Sequence, residues 1–375
     1  MKYLQNMKTM NAVINSNLAQ SNTPQSICFP EHITVTTTLR CNYRCVMCYQ
    51  KSYEGELDWS IYKKLEDILP FARGFQIFGG EPMLYPRIHD LYKLAHKYQN
   101  RIDIISNGSL LTDETCESIV ANQVGHIKFS IDAGTQKTYK KIRGGNFFKV
   151  MAGIAKISQL KAKYGSPFPS MELNFLAMRS NVSELPKLVT MAKEVGATQI
   201  NVFYPGMSTK DMVDECVWFC QEYSDSWLAK SKMIADSIDM KLRLPPLFSE
   251  CTDMEASGTR PFCADPWTKL LVDVDGTATL CCGGPTKIGN LLEQDFDEIW
   301  NSKAARKLRA VVNTPDEPAY CKNCRVRKPN PAELKLHIGS KPLQEYALKK
   351  YGMEQEADSL PPSRQPTQCE RSANL

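Results

Sequence analysis

Between residues 31 and 240 the apolar positions switch repeatedly between the alternation of a strand and the three-and-four spacing of a helix. The stretch Ile33-Thr34-Val35-Thr36-Thr37 reads as a strand. Trp59, Ile61, Leu65, Ile68 and Leu69 then recur at helical spacing, ahead of the short strand Phe75-Gln76-Ile77-Phe78. Ile88, Leu91, Leu94 and Ala95 predict a helix before Ile102-Asp103-Ile104-Ile105, and Cys116, Ile119 and Val120 another before Ile127-Lys128-Phe129-Ser130-Ile131. Phe148, Met151, Ile154, Ala155 and Ile157 predict a helix before the strand Met171 to Leu176. Leu185, Leu188, Val189 and Ala192 predict the last one, before Gln199 to Phe203. Six strands alternating with such helices indicate βαβ units and a parallel sheet. Parallel β/α architectures place their ligand site at the C-terminal ends of the strands, so the residues found there carry the chemistry.

The first strand runs into Arg40-Cys41-Asn42-Tyr43-Arg44-Cys45-Val46-Met47-Cys48-Tyr49. Cys41, Cys45 and Cys48 have the spacing of three thiolates that hold three corners of a cubane [4Fe–4S] cluster and leave one iron open. A zinc site is the plainer alternative, but zinc favours four ligands and C-x2-C pairs, and no His lies within the cysteine loop. The second strand ends at Gly79-Gly80-Glu81-Pro82, where two residues without Cβ allow a close backbone approach. The third ends at Ser106-Asn107-Gly108 and the fourth at Ser130-Ile131-Asp132.

With its cysteine loop after the first strand and Gly-Gly-Glu-Pro after the second, the chain resembles the radical S-adenosylmethionine (AdoMet) enzymes. Their C-x3-C-x2-C motif has an aromatic residue before the last Cys, a place that Met47 takes here, as in many members of the auxiliary-cluster branch. The resemblance implies a partial (β/α)6 TIM-like barrel with a small C-terminal auxiliary-cluster domain. It assigns Cys41, Cys45 and Cys48 to the open-iron cluster, and Gly79, Gly80, Glu81 and Pro82 to the amino group of AdoMet. Ser106, Asn107, Ser130 and Asp132 become further AdoMet contacts, with Ser130 on the carboxylate or ribose. Arg143, in Tyr139-Lys140-Lys141-Ile142-Arg143-Gly144-Gly145, resembles a recurring Y-x3-R-G segment near the same ligand.

A second cysteine set follows the barrel. Cys263 precedes Leu270 to Cys282, which reads as a β-hairpin whose tight turn comes from Asp275-Gly276. Cys321 and Cys324 form a C-x2-C after one helix-like segment, Phe296 to Val311. Cys263, Cys281, Cys321 and Cys324 suffice for a closed cluster, although four cysteines are also a structural zinc set. Cys282 could replace Cys281, and Cys251 could replace Cys263. The order resembles the SPASM and twitch domains, including Ile288-Gly289-Asn290-Leu291 and Asp297-Glu298-Ile299-Trp300, and with four rather than seven cysteines it implies one auxiliary [4Fe–4S] cluster. Cys28, Cys116, Cys216, Cys220 and Cys369 read as buried or incidental thiols. The organisation expected is an N-terminal extension at 1–30, the core at 31–240, the auxiliary domain at 241–330, and a helix with a disordered tail at 331–375.

Composition changes this picture little. The chain has 375 residues, 42% of them hydrophobic and 23% charged, as in an ordinary globular protein. Its net charge of +5, read as spread without a basic tract, points to no polyanion partner. The polar start Met1-Lys2-Tyr3-Leu4-Gln5-Asn6 lacks the apolar core of a signal peptide and no apolar run nears 18 residues, so a cytoplasmic protein is expected. Fourteen Cys then read as metal ligands and buried thiols, suited to a reducing compartment. The resemblance implies a radical enzyme that cleaves AdoMet reductively, abstracts hydrogen and oxidises a substrate through the second cluster, with an electron donor such as flavodoxin or ferredoxin. A small-molecule substrate fits the single-cluster aminocyclitol dehydrogenases, which share the four-Cys pattern. The alternatives are a peptide maturase and a non-enzymatic cluster-bearing electron carrier. Only about 30 residues precede the first strand, too few for a winged peptide-recognition domain. No spacing in residues 204–262 identifies the substrate.

Overall fold

The structure is a computed structural model that describes residues 2–50, 52–250, 261–322, 324, 327 and 341–352. The alternative ligand Cys251, Cys369 and the expected tail around Pro361-Pro362-Ser363 lie outside the described residues.

All six predicted strands form: β1 (His32–Thr38), β2 (Gly74–Gly79), β3 (Arg101–Ser106), β4 (His126–Ser130), β5 (Ser170–Leu176) and β6 (Gln199–Phe203). They pair in parallel in chain order, each after an intervening helix. A short β7 (Lys241–Arg243), which the periodicity does not reveal, adds to β6 in parallel. On the other side β8 (Lys269–Val272) pairs in parallel with β1, and β9 (Thr277–Thr279) and β10 (Lys287–Asn290) follow as an antiparallel meander. The result is one ten-stranded sheet with β7 and β10 at its edges, so the barrel is open.

Alternation along the strands decides what faces the lumen. Ile33, Val35, Phe75, Ile77, Ile102, Ile104, Ile127, Phe129, Leu173 and Ile200 are buried against the helices. Thr34, Gln76, Asp103, Lys128, Ser130, Glu172 and Asn174 occupy the opposite, half-buried face. A polar inner face is stable only where its groups are paired or wet. At its lower end Asn201 donates to Glu172 at 2.6 Å, and His126 lies 3.0 Å from Glu172 and 3.6 Å from Asp103.

Three local expectations change in the structure. Helix Phe147–Tyr164 buries Phe147 and leaves Phe148 64% exposed, because Asn146 caps the helix and the core-facing stripe runs through Phe147, Val150, Met151 and Ile154. The segment predicted as one helix from Phe296 is two, Phe296–Trp300 and Lys303–Val311, the second restarted by Ser302 accepting from the backbone N–H of Ala305. The N-terminal stretch is a helix, Lys2–Gln20, that buries polar residues. Asn11 accepts from the N–H of Phe29 at 3.0 Å and donates to its carbonyl at 2.9 Å, Asn15 donates to the same carbonyl, and Lys8 donates to the carbonyls of Tyr98 and Gln99. Asn11→Ala strands the Phe29 N–H and is expected to lower stability by about 1–3 kcal/mol. Urea denaturation checks this, with the exposed Asn6→Ala as the variant expected to change nothing.

Candidate active site at the cysteine loop

The cysteine loop is tied down by the segments at the ends of β2, β3 and β4. Gly80 N–H donates to Thr38 O and Glu81 N–H to Arg40 O, both at 2.8 Å. A Cβ on Gly79, whose φ is +148°, would lie 2.2 Å from Thr38 O, and one on Gly80 would lie 2.3 Å from Arg40 O. The close approach that these glycines permit is therefore first of all to the stalk of the cysteine loop. Pro82 opens a short 3-10 turn, Pro82–Leu84, and is buried.

Glu81 is fully buried, with its carboxylate turned into the protein. It accepts from the backbone N–H of Asn107 at 2.7 Å, from Ser106 Oγ at 2.8 Å and from the N–H of Met83 at 3.2 Å. Burial pushes its pKa up, and these three donors pull the other way. Ser106 Oγ in turn accepts from Gly108 N–H at 2.9 Å. Asn107 Nδ2 reaches Asn42 Oδ1 at 3.0 Å and lies 3.9 Å from Cys41 Sγ. Asn42 also donates to Ser109 Oγ at 2.7 Å. Glu81, Ser106 and Asn107 thus join the ends of β2 and β3 to the cysteine loop. Ser130 is half-buried on the lumen face of β4, opposite Asn174 of β5, and its hydroxyl has no hydrogen bond among the described residues.

Beyond β4, Asp132 adopts φ +57° and is buried; it ion-pairs with Arg143 and accepts from Leu176 N–H at 2.6 Å. Asn181 holds the Asp132 carbonyl at 2.9 Å. Arg143 Nη1 donates to Cys45 Sγ at 3.6 Å, and its buried Nε has no partner among the described residues. Burial opposes the charge on Arg143, but Asp132 and Cys45 hold its pKa above the ordinary value. Burial pushes the Cys45 thiol up to about 11, with Arg143 acting in the opposite direction. Tyr43 N–H points at Cys41 Sγ at 3.5 Å, and Tyr43 packs edge-on against Tyr139. Asn42, Tyr43 and Asn181 were missed by the sequence reading; an Asn inside the loop and an Asn just after β5 are its only traces.

The second cysteine set assembles around the β8–β9 hairpin, whose turn closes with Asp273 N–H donating to Thr277 O at 3.0 Å and Gly276 at φ +79°. Burial raises the pKa of the Cys263 thiol, with Asp265 and Cys324 acting in the same direction, and Asp265 and Cys321 act likewise on Cys281. Burial pushes the Cys281 thiol up to about 12. Cys281 is half-buried and the neighbouring Cys282 exposed. A bracket that the sequence did not reveal fixes this region: Asn313 exchanges hydrogen bonds with the Cys263 backbone, and Arg327 reaches Asn313 at 2.8 Å and Glu317 at 2.8 Å. Cys216 and Cys220 belong elsewhere, Cys216 in a small core with Met178, Met207 and Val213.

Among the described residues no group of three or more His, Cys, Asp or Glu side chains is arranged to hold a single metal ion, and the donors around the sulfurs suit a cluster instead. Cys41 and Cys45 each face an N–H that suits a thiolate, and Cys48 lies close enough to act on the pKa of both, raising it. That donor set fits an iron–sulfur cluster, whose sulfurs are tuned by such hydrogen bonds.

Comparisons with known proteins agree with this arrangement. Residues 35–167 match the Radical SAM superfamily, and residues 263–325 match SPASM, an iron–sulfur cluster-binding domain. The chain is 26% identical to the AdoMet-dependent heme synthase of Methanosarcina barkeri over 80% of this chain and 89% of that protein. It is 28% identical to the tungsten-containing aldehyde ferredoxin oxidoreductase cofactor-modifying protein of Pyrococcus furiosus over 79% and 88%. Its fold is similar to that of Streptococcus suis SuiB in the crystal structure with the precursor peptide SuiA, with a TM-score of 0.59 at 15% identity, covering 85% of this chain and 74% of that one. Among the described residues no helix is long and apolar enough to cross a membrane. The chain belongs to the radical SAM superfamily, in the branch that carries a SPASM iron–sulfur cluster-binding domain, and is an enzyme that uses [4Fe–4S] clusters and AdoMet.

Proposed function

We propose that this radical SAM enzyme oxidises a small organic substrate by two electrons, with Cys41, Cys45 and Cys48 holding the open-iron cluster and Cys263, Cys281, Cys321 and Cys324 the auxiliary one. Cys41, Cys45 and Cys48 would hold the first cluster, which with AdoMet would supply radical chemistry able to take hydrogen from an unactivated C–H bond. The observation that carries the oxidative reading is the continuous sheet. β1 leads into Cys41 and β9 into Cys281 in the same sheet, and a slot lined by Thr36 of β1, Phe78 of β2, Leu271 of β8, Thr279 of β9, Cys281 and Cys282 opens beside the auxiliary set.

The protein's own part is positioning. Gly79, Gly80 and Glu81 hold the cysteine loop against the ends of β2 and β3, and Pro82 turns the chain away. Ser106 and Asn107 are engaged through Glu81, which leaves Ser130, the unpartnered Nε of Arg143 and the peptide groups of Gly79 and Gly80 to meet AdoMet. Asp132 orients Arg143 toward Cys45. A low-potential carrier of the flavodoxin or ferredoxin type supplies the electron. A small substrate is supported by the likeness to the heme synthase and the cofactor-modifying protein along most of this chain's length. The second reading, a peptide substrate, is favoured by the fold shared with SuiB, which binds a precursor peptide.

Anaerobic reconstitution tests the proposal. Wild type is expected to hold about eight irons, and a Cys41/Cys45/Cys48→Ala variant about four, as two four-iron clusters require. Deoxyadenosine should form from AdoMet only in wild type. Four irons in wild type with deoxyadenosine still formed would remove the auxiliary cluster and the oxidation with it.

A further inference from the structure

From Gln136 to Lys149 the sequence holds Lys137, Lys140, Lys141, Arg143 and Lys149 without one Asp or Glu, in a chain whose net charge is only +5. The structure sorts these residues. Helix Gln136–Arg143 buries Tyr139, Ile142 and Arg143, and leaves Lys137, Lys140 and Lys141, spaced by three and four, exposed on its other side. Lys149 is exposed after the turn. Many lysines elsewhere are paired, as in Lys97 with Glu66, Lys156 with Asp113 and Lys350 with Asp214. Lys137, Lys140, Lys141 and Lys149 have no ion-pair partner among the described residues. Like charges at this helical spacing repel and cost stability, so a purely solvated face gains nothing from them.

The buried side of the same helix packs on the cysteine loop. Val46 N–H donates to Ile142 O at 3.0 Å, Arg143 touches Cys45, and Tyr43 packs on Tyr139. Arg44 is exposed within the loop. Val46 and Phe148 stand 50% and 64% exposed in the loop and just beyond the helix. Exposed apolar side chains with charged neighbours are the anatomy of a protein interface, and the sign of the charge selects the partner.

We infer that the face formed by Arg44, Val46, Lys137, Lys140, Lys141, Phe148 and Lys149 docks a small acidic electron-transfer protein, which delivers its electron beside Cys45. This rests on the assignment of Cys41, Cys45 and Cys48 to the reducible cluster. Charge complementarity steers such an encounter, so its rate falls with ionic strength. An acidic redox protein suits this face better than a nucleic acid, because the exposed apolar Val46 and Phe148 flank the helix that carries the lysines, and the buried side of that helix packs on the cysteine loop.

The experiment uses the reconstituted full-length enzyme and a purified flavodoxin hydroquinone as electron donor, following cluster bleaching by stopped flow. Lys137→Glu/Lys140→Glu/Lys141→Glu is expected to slow reduction at low salt by about tenfold or more and to flatten its salt dependence. Lys63→Glu/Lys93→Glu/Lys187→Glu, a charge-matched change on other helices, should behave as wild type. Photoreduced deazaflavin, which needs no docking, should reduce all three equally, with equal iron and deoxyadenosine yields. Flavodoxin reducing wild type no faster than the first variant overturns the inference, as does a face whose charge reversal abolishes RNA binding while leaving reduction intact. Wild type without bleachable iron in the Cys41 to Cys48 loop would overturn the cluster assignment itself, a separate failure that the iron count and the deazaflavin control identify.

Discussion

Gly79→Ala is expected to cost the protein the cluster of the Cys41 to Cys48 loop while sparing the auxiliary set. The added methyl would sit 2.2 Å from the carbonyl oxygen of Thr38, at a φ of +148° that side chains rarely adopt. Neither neighbour can yield, since Thr38 is in β1 and also accepts the N–H of Gly80. Positive-φ strain and overpacking each cost about 1–3 kcal/mol, so a loss of roughly 2–6 kcal/mol is expected. The shift would move the β2 end away from Arg40 and loosen the loop whose thiols must converge. Iron analysis should fall from about eight toward four per chain, with deoxyadenosine formation lost. Gly283→Ala, where the new methyl meets nothing within 4 Å, should leave both unchanged. Equal iron in the Gly79→Ala protein would show that the loop does not depend on this contact.

Arg143→Ala is the second large effect. Asp132 has no solvent exposure and Arg143 8%, so removing the cation leaves a buried carboxylate with Leu176 N–H as its one remaining donor among the described residues. Breaking a buried pair from one side costs about 3–5 kcal/mol. Replacing both partners, as Asp132→Leu/Arg143→Met, should recover much of it, and a double-mutant cycle in urea measures the coupling. The two losses separate at the cluster. Arg143 donates to Cys45 Sγ, and removing a positive donor from a cluster thiolate makes the cluster harder to reduce. The potential of the open-iron cluster should therefore fall in both the single and the double variant, although the double variant is the more stable. An unchanged potential in an EPR-monitored titration would confine Arg143 to a structural part.

Much of this protein is legible along the chain. The spacing of Cys41, Cys45 and Cys48 is short and contiguous, and local sequence decides which thiols share one loop. The six strands announce themselves because alternating residues such as Ile33 and Val35, or Ile102 and Ile104, must be buried as a face. Gly79-Gly80-Glu81-Pro82 stands out along the chain, and the resemblance gives it to AdoMet, but the contacts that it makes within the protein are not legible there. The glycines make room for the backbone of Thr38 and Arg40, and Glu81 is turned inward to Ser106 and Asn107, contacts between residues 25 to 41 positions apart. The N-terminal helix shows the opposite failure. Lys8, Asn11 and Asn15 look like a solvated face until Phe29, Tyr98 and Gln99 bring carbonyls that need donors.

By itself, then, the sequence determined the alternation of strands and helices, the two cysteine sets and the family they imply. Each is written in short-range spacing, which burial and ligand number constrain directly. Tertiary structure alone decided that β8 and β9 join the barrel sheet beside β1, that Asp132 meets Arg143 and Cys45, and that Phe147 rather than Phe148 enters the core. The physical reason is the same in every case. Hydrophobic period records which face of an element leaves water, whereas hydrogen-bond and charge partners are supplied by whatever the fold carries to that face.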